Sequence, residues 1–489
     1  MSNSNYKQSF KSFSILGSIQ VLVMLINIAR TKIVAVLLGA SGVGMLGLFQ
    51  STIDLICAIS NMGFGTSSVR NVSEANSGNK TKLYHVVYCV TRLSQYLGVV
   101  GFIICILLSE QLSIWTFNTP IYSLDFKILS IVCLLTSLNA GQLALLQGFR
   151  KIKSLAHANF FGAIFSLLLS APLFYFLGVR GIIPSLLLLA LNKYLVGLYF
   201  VRKNKITGKK TEKDERKKIF SSILKVGVMM TLSGSIMTTL FSYILKAYIG
   251  NIGGLEEVGY YQAFFSIVNG YIGVIFTAMA TDFYPRLSAN NNDNIGMTLL
   301  VNEQISLSLL ILCPVLFVLL LFSYFFVPLL YSSAFLALLP LLQWSLIGVL
   351  FKAISFCISY IFVALGNAKI FMYSETISNL LMLGLNIVGY KFGGLRGLGI
   401  CFTLGFVAYT FIAYLFAKRT IGFKLFKDSL NDYIIPVIIF IIGTIVYMLM
   451  TDNLLLGLVF LVIIIYLDYC KLNKRLQITE FLKLKFRKK

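Results

Sequence analysis

The stretch NIARTKIVAVLLGASGVG, residues 27–44, decides how this chain is read, because Arg30 and Lys32 interrupt an apolar run. Were the run a membrane helix, a cation at its centre would cost about 2.5–3.5 kcal/mol and would need an anion, a wet cavity or a route to the surface. Composition shows that it is one. The chain is 57% hydrophobic and 12% charged, with a mean hydropathy of +0.84. Soluble domains carry about 25% charged residues. Apolar runs of 18 or more residues recur from end to end, each long enough to cross a bilayer as a helix. The reading is an all-α integral membrane protein with almost no soluble part.

Fourteen spans are predicted, at 13–38, 44–68, 84–108, 127–149, 156–177, 181–201, 221–249, 258–283, 298–328, 337–364, 370–390, 396–417, 433–450 and 453–470. The run after Lys7 and Lys11 is too long for the core of a signal peptide and no small-residue cleavage site follows, so it reads as a retained first helix. The net charge of +24 does not point to nucleic acid, because the bases sit in short loops beside helix ends. On one side the N-terminus, the loops after even-numbered spans and the basic tail after 470 hold 31 of the 42 Lys and Arg residues. The other side holds Lys127, Arg180, Lys246, Lys391 and Arg396. That bias places both termini in the cytoplasm.

The two halves echo each other. LGLFQSTIDLI (46–56) resembles VGYYQAFFSIV (258–268), LLQGFRKI (145–152) resembles VALGNAKI (363–370), and LGVRGI (177–182) resembles GGLRGLGI (393–400). These matches pair Gln50 with Gln262, Gly148 with Gly366 and Arg180 with Arg396. A repeat of six helices returns the chain to its starting side, so the halves share orientation and are related by an axis along the membrane normal. The expected organisation is a six-helix bundle at 1–201, a solvated basic cytoplasmic linker at 202–220, a second six-helix bundle at 221–420, and two extra helices with a basic tail at 421–489. The two parallel bundles are expected to flank a central cavity.

Six bases fall inside spans: Arg30, Lys32, Arg92, Lys193, Lys225 and Lys352. The clear intramembrane acids are Asp54 and Glu375, with Asp282 and Glu303 near span ends. Lys225 is shallow enough to reach the surface with its long stem, and Glu375 is similarly shallow. Lys352, Arg30 and Asp54 are deep. Arg30 and Lys32 point about 200° apart at 3.6 residues per turn, so one cavity takes only one of them; Arg30 is expected to face inward. Arg30, Arg92, Lys352 and Lys193 are the candidate ligands of an anionic headgroup, since a guanidinium fork suits phosphate oxygens. Helix–helix salt bridges such as Arg30 with Asp54 are the competing account, but two acids cannot neutralise six bases. Asp54 and Glu375 are the candidates for coupling to a proton or sodium gradient, because buried carboxylates exchange such ions.

Other motifs carry less. GVGMLG, 42–47, matches a dinucleotide fingerprint literally, but helices precede and follow it where a strand is required; its glycines suit a tight outer turn and close helix packing. NVS at 71–73 falls on the cytoplasmic side. The eight cysteines lie in or at the end of apolar runs with no C-x-x-C, as small buried hydrophobes do. His85 and His157 have no ligand-like partners, so neither a metal nor an organic cofactor is expected.

LLGASGVGMLGLFQ followed by ISNMGFGTSSVRNVSEA resembles the start of the bacterial O-antigen flippases, the Wzx-type lipid-linked oligosaccharide translocases of the multidrug/oligosaccharidyl-lipid/polysaccharide exporter superfamily. The resemblance extends to the helical plan and the repeat. It implies a MATE-like fold with pseudo-two-fold symmetry and a bacterial inner (plasma) membrane location. The implied substrate is undecaprenyl pyrophosphate carrying one oligosaccharide repeat unit, moved from the cytoplasmic to the periplasmic leaflet by ion-coupled alternating access. Membrane lipid, a polysaccharide polymerase and a chain-length regulator are the implied partners, in lipopolysaccharide biosynthesis or a similar pathway. The alternatives are a multidrug/cation antiporter, which would want an acidic cavity, and a membrane glycan polymerase, which would want a large outer loop.

Overall fold

The computed structural model describes residues 3–76, 80–230, 236–450 and 453–476; the basic tail beyond 476 lies outside them. The described chain is helical throughout. Its helices are α1 (Asn3–Asn61), α2 (Phe64–Asn76), α3 (Lys80–Leu107), α4 (Ser109–Phe117), α5 (Ser123–Gly148), α6 (Ile152–Leu177), α7 (Ile182–Lys203), α8 (Lys213–Met230), α9 (Ile236–Phe265), α10 (Gly273–Ala289), α11 (Asn294–Leu321), α12 (Ser323–Leu330), α13 (Leu339–Ala364), α14 (Ala368–Ile421), α15 (Lys427–Leu449) and α16 (Leu454–Leu476).

Nine helical stretches among the described residues are apolar and long enough to cross a membrane. Four of them, Ile19–Asn61, Ile152–Lys203, Ile236–Ala289 and Lys369–Ile421, are 43 to 54 residues long. That is about twice the ~20 residues one crossing needs, so each is two spans joined end to end. With the shorter apolar helix Tyr433–Leu449, the crossings number fourteen. The surface they present is greasy: Phe176 is 79% and Leu455 76% exposed, as lipid-facing side chains are.

The joins explain how two spans fit in one helix. Gly39 has φ 68°, ψ −170° and Gly254 has φ 81°, ψ 179°. Gly178 has φ 56°, ψ −133° and Gly394 has φ 53°, ψ −141°. Side chains are all but barred from this part of conformational space. A single glycine therefore reverses the chain at each of these turns with almost no loop. The paired glycines lie 215 and 216 positions apart. The turns at the opposite helix ends repeat as well: Arg150 (φ 54°) and Gly366 (φ 66°) are 216 apart, and Lys205 (φ 53°) and Gly422 (φ 71°) are 217 apart. The backbone thus carries the repeat read from the sequence and corrects one pairing. Arg150, not Gly148, is the counterpart of Gly366, since Arg150 N–H bonds to Gln147 O and Gly366 N–H to Val363 O.

Contacts divide the chain into two compact units. The first is Met1–Gly259 with Leu330–Ser332, the second Tyr260–Leu329 with Ser333–Lys489. In the first, α3 packs on α5, α1 on α6, and α7 on both α5 and α6. Here Gly44 and Gly259 let backbones touch: a Cβ on Gly44 would fall 1.9 Å from Leu255 O, and one on Gly259 would fall 2.0 Å from Ala40 O. Close packing by GVGMLG is confirmed, but the turn residue is Gly39. In the second unit α13 lies along α14 and α11, while α15 and α16 pack on α11.

Two expectations change. The division falls at Gly259 instead of in the basic loop, because α8 and the first part of α9 go with the first unit, α8 packing on α2 and α3. The linker is not simply solvated either. Ile206, Ile219 and Ile223 enter a core with Phe64, Val72 and Val90. Lys209 N–H bonds to Tyr84 O at 3.1 Å, and a side chain at Gly208 would strike the backbone of Tyr88. Thr211 donates to Glu215 at 2.7 Å, and His85 Nδ1 stands 2.9 Å from the same carboxylate oxygen.

Candidate functional site

Each unit has a polar pocket in its span region. In the first, α1 supplies Asn27 and Arg30, α5 Asn139, α6 Asn159 and Ser166, and α7 Lys193. The cavity measures about 350 Å³. Two cations and several amides line it, and no described carboxylate does. Arg30 is half-buried, and its Nε is closed off from solvent with no hydrogen-bond partner among the described residues. Asn192 bonds to Gly162 O at 3.0 Å and so holds α7 against α6. The Lys193 stem lies beside Gly162, its Cγ 3.8 Å from where a Cβ would stand, an ordinary van der Waals separation.

Asp54 lies on the second leg of α1, beyond the Gly39 turn. It accepts a hydrogen bond from Gln50 at 2.9 Å and sits in the field of Lys246 and Lys193. No ion pair joins Arg30 to Asp54 among the described residues, so the salt-bridge account fails for that pair. Arg30 and Lys193 instead repel each other, a cost that a bound anion removes.

The second pocket, about 570 Å³, lies in the other unit between α10, α13 and α14. Lys352 and Glu375 both line it. Lys352 Nζ donates to Asn269 at 2.6 Å and stands 5.5 and 5.7 Å from the ring centres of Phe276 and Phe406. Glu375 accepts a short hydrogen bond from Tyr409 OH, which also pairs with Ser359 at 2.9 Å. Aromatic rings form the rest of the wall, with Phe356 4.7 Å and Tyr284 6.0 Å from Tyr360.

The structure therefore gathers Arg30, Lys193 and Asp54 in one unit and Lys352 with Glu375 in the other. Arg92 stands apart from both groups. It is exposed on α3, bonded to Gln95 at 3.0 Å and stacked over Tyr88 at 5.4 Å. Lys32 is half-buried. Two residues escaped the sequence reading. Lys246, read from the sequence as a base on the outer side, is 6% exposed inside α9, eight residues before the turn at Gly254. Asp468, which the sequence analysis does not single out, is 3% exposed on α16, and neither carboxyl oxygen has a hydrogen-bond partner among the described residues.

Solved structures with this fold are transporters. The lipid II flippase MurJ in an inward closed conformation is 16% identical, covering 94% of this chain and 98% of its own, with a TM-score of 0.71. An inward-facing multidrug resistance MATE family transporter of the MOP superfamily is 18% identical, covering 83% and 98%, with a TM-score of 0.69. A MOP superfamily transporter from Pyrococcus furiosus, described by a binding pocket of reverse polarity, is 16% identical, covering 84% and 96%, with a TM-score of 0.60. No curated protein matches the chain in sequence. A family match, however, spans residues 9–291, more than half the chain. This multi-pass membrane protein, built on the fold of the MOP transporters, belongs to the polysaccharide biosynthesis protein family.

Proposed function

We propose that the chain is a flippase that carries an undecaprenyl-pyrophosphate-linked oligosaccharide repeat unit, of O-antigen or a similar surface polysaccharide, across the bacterial inner membrane to the periplasmic leaflet. One observation carries the reading. The pocket of the first unit holds Arg30 and Lys193 among amide side chains with no carboxylate in its lining. Two mutually repelling cations at span depth, with no carboxylate among the residues lining their pocket, favour an anion between them. A diphosphate supplies the charge and enough acceptor oxygens for a guanidinium, an ammonium and several amides at once. Arg30 and Lys193 are assigned to the diphosphate; Lys352 and the exposed Arg92 are assigned to guiding the same anionic headgroup. Asp54 and Glu375, each hydrogen-bonded through one oxygen, are assigned to coupling with a proton or sodium gradient, in ion-coupled alternating access. The excess of bases in one set of loops supports cytoplasmic termini. A polysaccharide polymerase and a chain-length regulator would act on the delivered unit.

The test is made in cells lacking the gene. Complete lipid-linked repeat units should accumulate on the cytoplasmic face while surface polymer disappears. The wild-type chain should reverse both effects and Arg30→Ala should reverse neither. Normal translocation, with unpolymerised units reaching the surface, would refute the proposal and point to a polymerase.

A further inference from the structure

The two pockets occupy the same place in the repeat. Asn139, Leu143, Asn159 and Lys193 line the first; Ser355, Ser359, Glu375 and Tyr409 line the second. Each residue of the first set is 216 positions before its counterpart in the second, the offset fixed independently by the turns at Gly178 and Gly394 and at Arg150 and Gly366. One ancestral pocket has therefore become two with different chemistry. Lysine gave way to tyrosine, leucine to serine, and an amide to a carboxylate. Around those positions the second pocket added aromatic rings.

We infer that the pocket of the second unit is a saccharide site, which takes pyranose rings of the substrate against Tyr284, Phe356 and Tyr360. This inference rests on the flippase reading and adds to it the part of the substrate that this unit recognises. A pyranose has an apolar face of C–H groups and a rim of hydroxyls that each donate and accept. The aromatic wall offers the first a stacking surface. Ser355, Ser359, Glu375 and Lys352 offer the second both donors and acceptors. A volume of about 570 Å³ is within the usual range of small-ligand pockets. An organic cation would also value aromatic faces and a carboxylate, but here it would meet Lys352 in the same lining, and Glu375 already accepts the Tyr409 hydroxyl. A lipid tail would cover four polar side chains, each with only part of its hydrogen-bonding capacity met inside the protein, and offer them nothing in return.

The experiment measures binding of two probes to the purified full-length protein in nanodiscs: undecaprenyl pyrophosphate, and undecaprenyl pyrophosphate bearing N-acetylglucosamine. The wild type should bind the glycosylated probe about tenfold more tightly than the bare one. In Tyr360→Leu and Tyr284→Leu that ratio should fall towards one; Tyr284 is 40% exposed, so its replacement does not empty a core. Arg30→Gln should weaken both probes and keep the ratio. A wild-type ratio of one, or a ratio preserved in both tyrosine variants, overturns the saccharide site and leaves the flippase reading standing. Tight binding of tetraphenylphosphonium that is lost in Tyr360→Leu overturns it in favour of an organic cation. Failure of the wild type to bind either probe removes the flippase reading and this inference with it.

Discussion

Replacing Arg30 by Gln should separate stability from function. The Nε of Arg30 is shut away from solvent without a partner, and the nearby cation is Lys193, which repels it. A buried donor left unsatisfied costs about 1–3 kcal/mol, and more when charged. Glutamine keeps much of the length and drops the charge, so the ligand-free protein should gain about 1–3 kcal/mol. In a chain of this size that is a rise of a few degrees at most in melting temperature. Ligand binding should move the other way. Truncating one partner of a close, desolvated charge pair costs about 2–5 kcal/mol, which is a loss of roughly thirtyfold to a few thousandfold in affinity for a diphosphate. The assay pairs thermal unfolding of detergent-purified protein without ligand with calorimetric titration of undecaprenyl pyrophosphate. A melting temperature that falls, with binding retained, would show that Arg30 is paired within the protein and that the pocket is not waiting for an anion.

Gly44→Ala should lower the melting temperature: overpacking costs about 1–3 kcal/mol, which outweighs the roughly 1 kcal/mol gained in helix propensity, because the added carbon would fall 1.9 Å from Leu255 O; an unchanged or raised value refutes the close approach. Asp468→Leu should stabilise the protein by about 1–3 kcal/mol, since a similar-sized apolar side chain replaces a buried group with no partner; destabilisation on thermal unfolding would reveal a partner for that carboxyl. The docking of the linker should depend on pH. The Thr211 hydroxyl, and after it His85, hold the Glu215 carboxyl below its ordinary 4.5, so the contact stabilises the dock above that value and is lost as pH falls through the lowered one. Protection of the amides over 206–212, taken relative to the intrinsic exchange rate at each pH, should then fall at acid pH in the wild type and lose this pH dependence in Glu215→Gln; an identical protection profile in the two proteins would rule the contact out.

The fourteen crossings were legible because each is a long apolar run, and length in a bilayer leaves little choice. So was the repeat, although matching Gly148 with Gly366 was two residues out. The eye aligns identical letters, while the backbone aligns left-handed positions, and Arg150 takes one of those without being glycine. Arg30, Lys193 and Asp54 could be picked out as deep charges, but their neighbourhood could not. Asn139, Asn159 and Ser166 are polar residues in helices where such residues are common, and only folding brings them beside Arg30. Lys246 was misplaced because spans seven and eight run into each other through Gly254, so no loop separates them to hold its ammonium in water. Lys352 and Glu375 share a pocket across a turn whose length the sequence shows but whose geometry it does not. The docked linker was missed for a simpler reason. Nine bases in the loop suggest water, and the isoleucines that fix it stand singly, Ile206 among those bases and Ile219 and Ile223 just after the last of them.

Duplication explains why the backbone conserves what the pockets do not. The glycines at 39 and 254, and at 178 and 394, have nearly the same torsions, because a turn between spans without a loop has one solution and a side chain destroys it. A pocket has no such constraint. At 139, 143, 159 and 193 the side chains need only fill space and satisfy one another, so their counterparts at 355, 359, 375 and 409 were free to change from cation and amide to hydroxyl, carboxylate and ring. A substrate with an anionic part and a polyhydroxylated part rewards such divergence, since one kind of pocket cannot serve both: phosphate asks for concentrated positive charge, a sugar for flat apolar faces edged with neutral donors and acceptors. A substrate of uniform chemistry would have given selection no reason to separate the two pockets. The asymmetry between repeats that share a backbone is thus itself an argument for a ligand made of two chemically different parts.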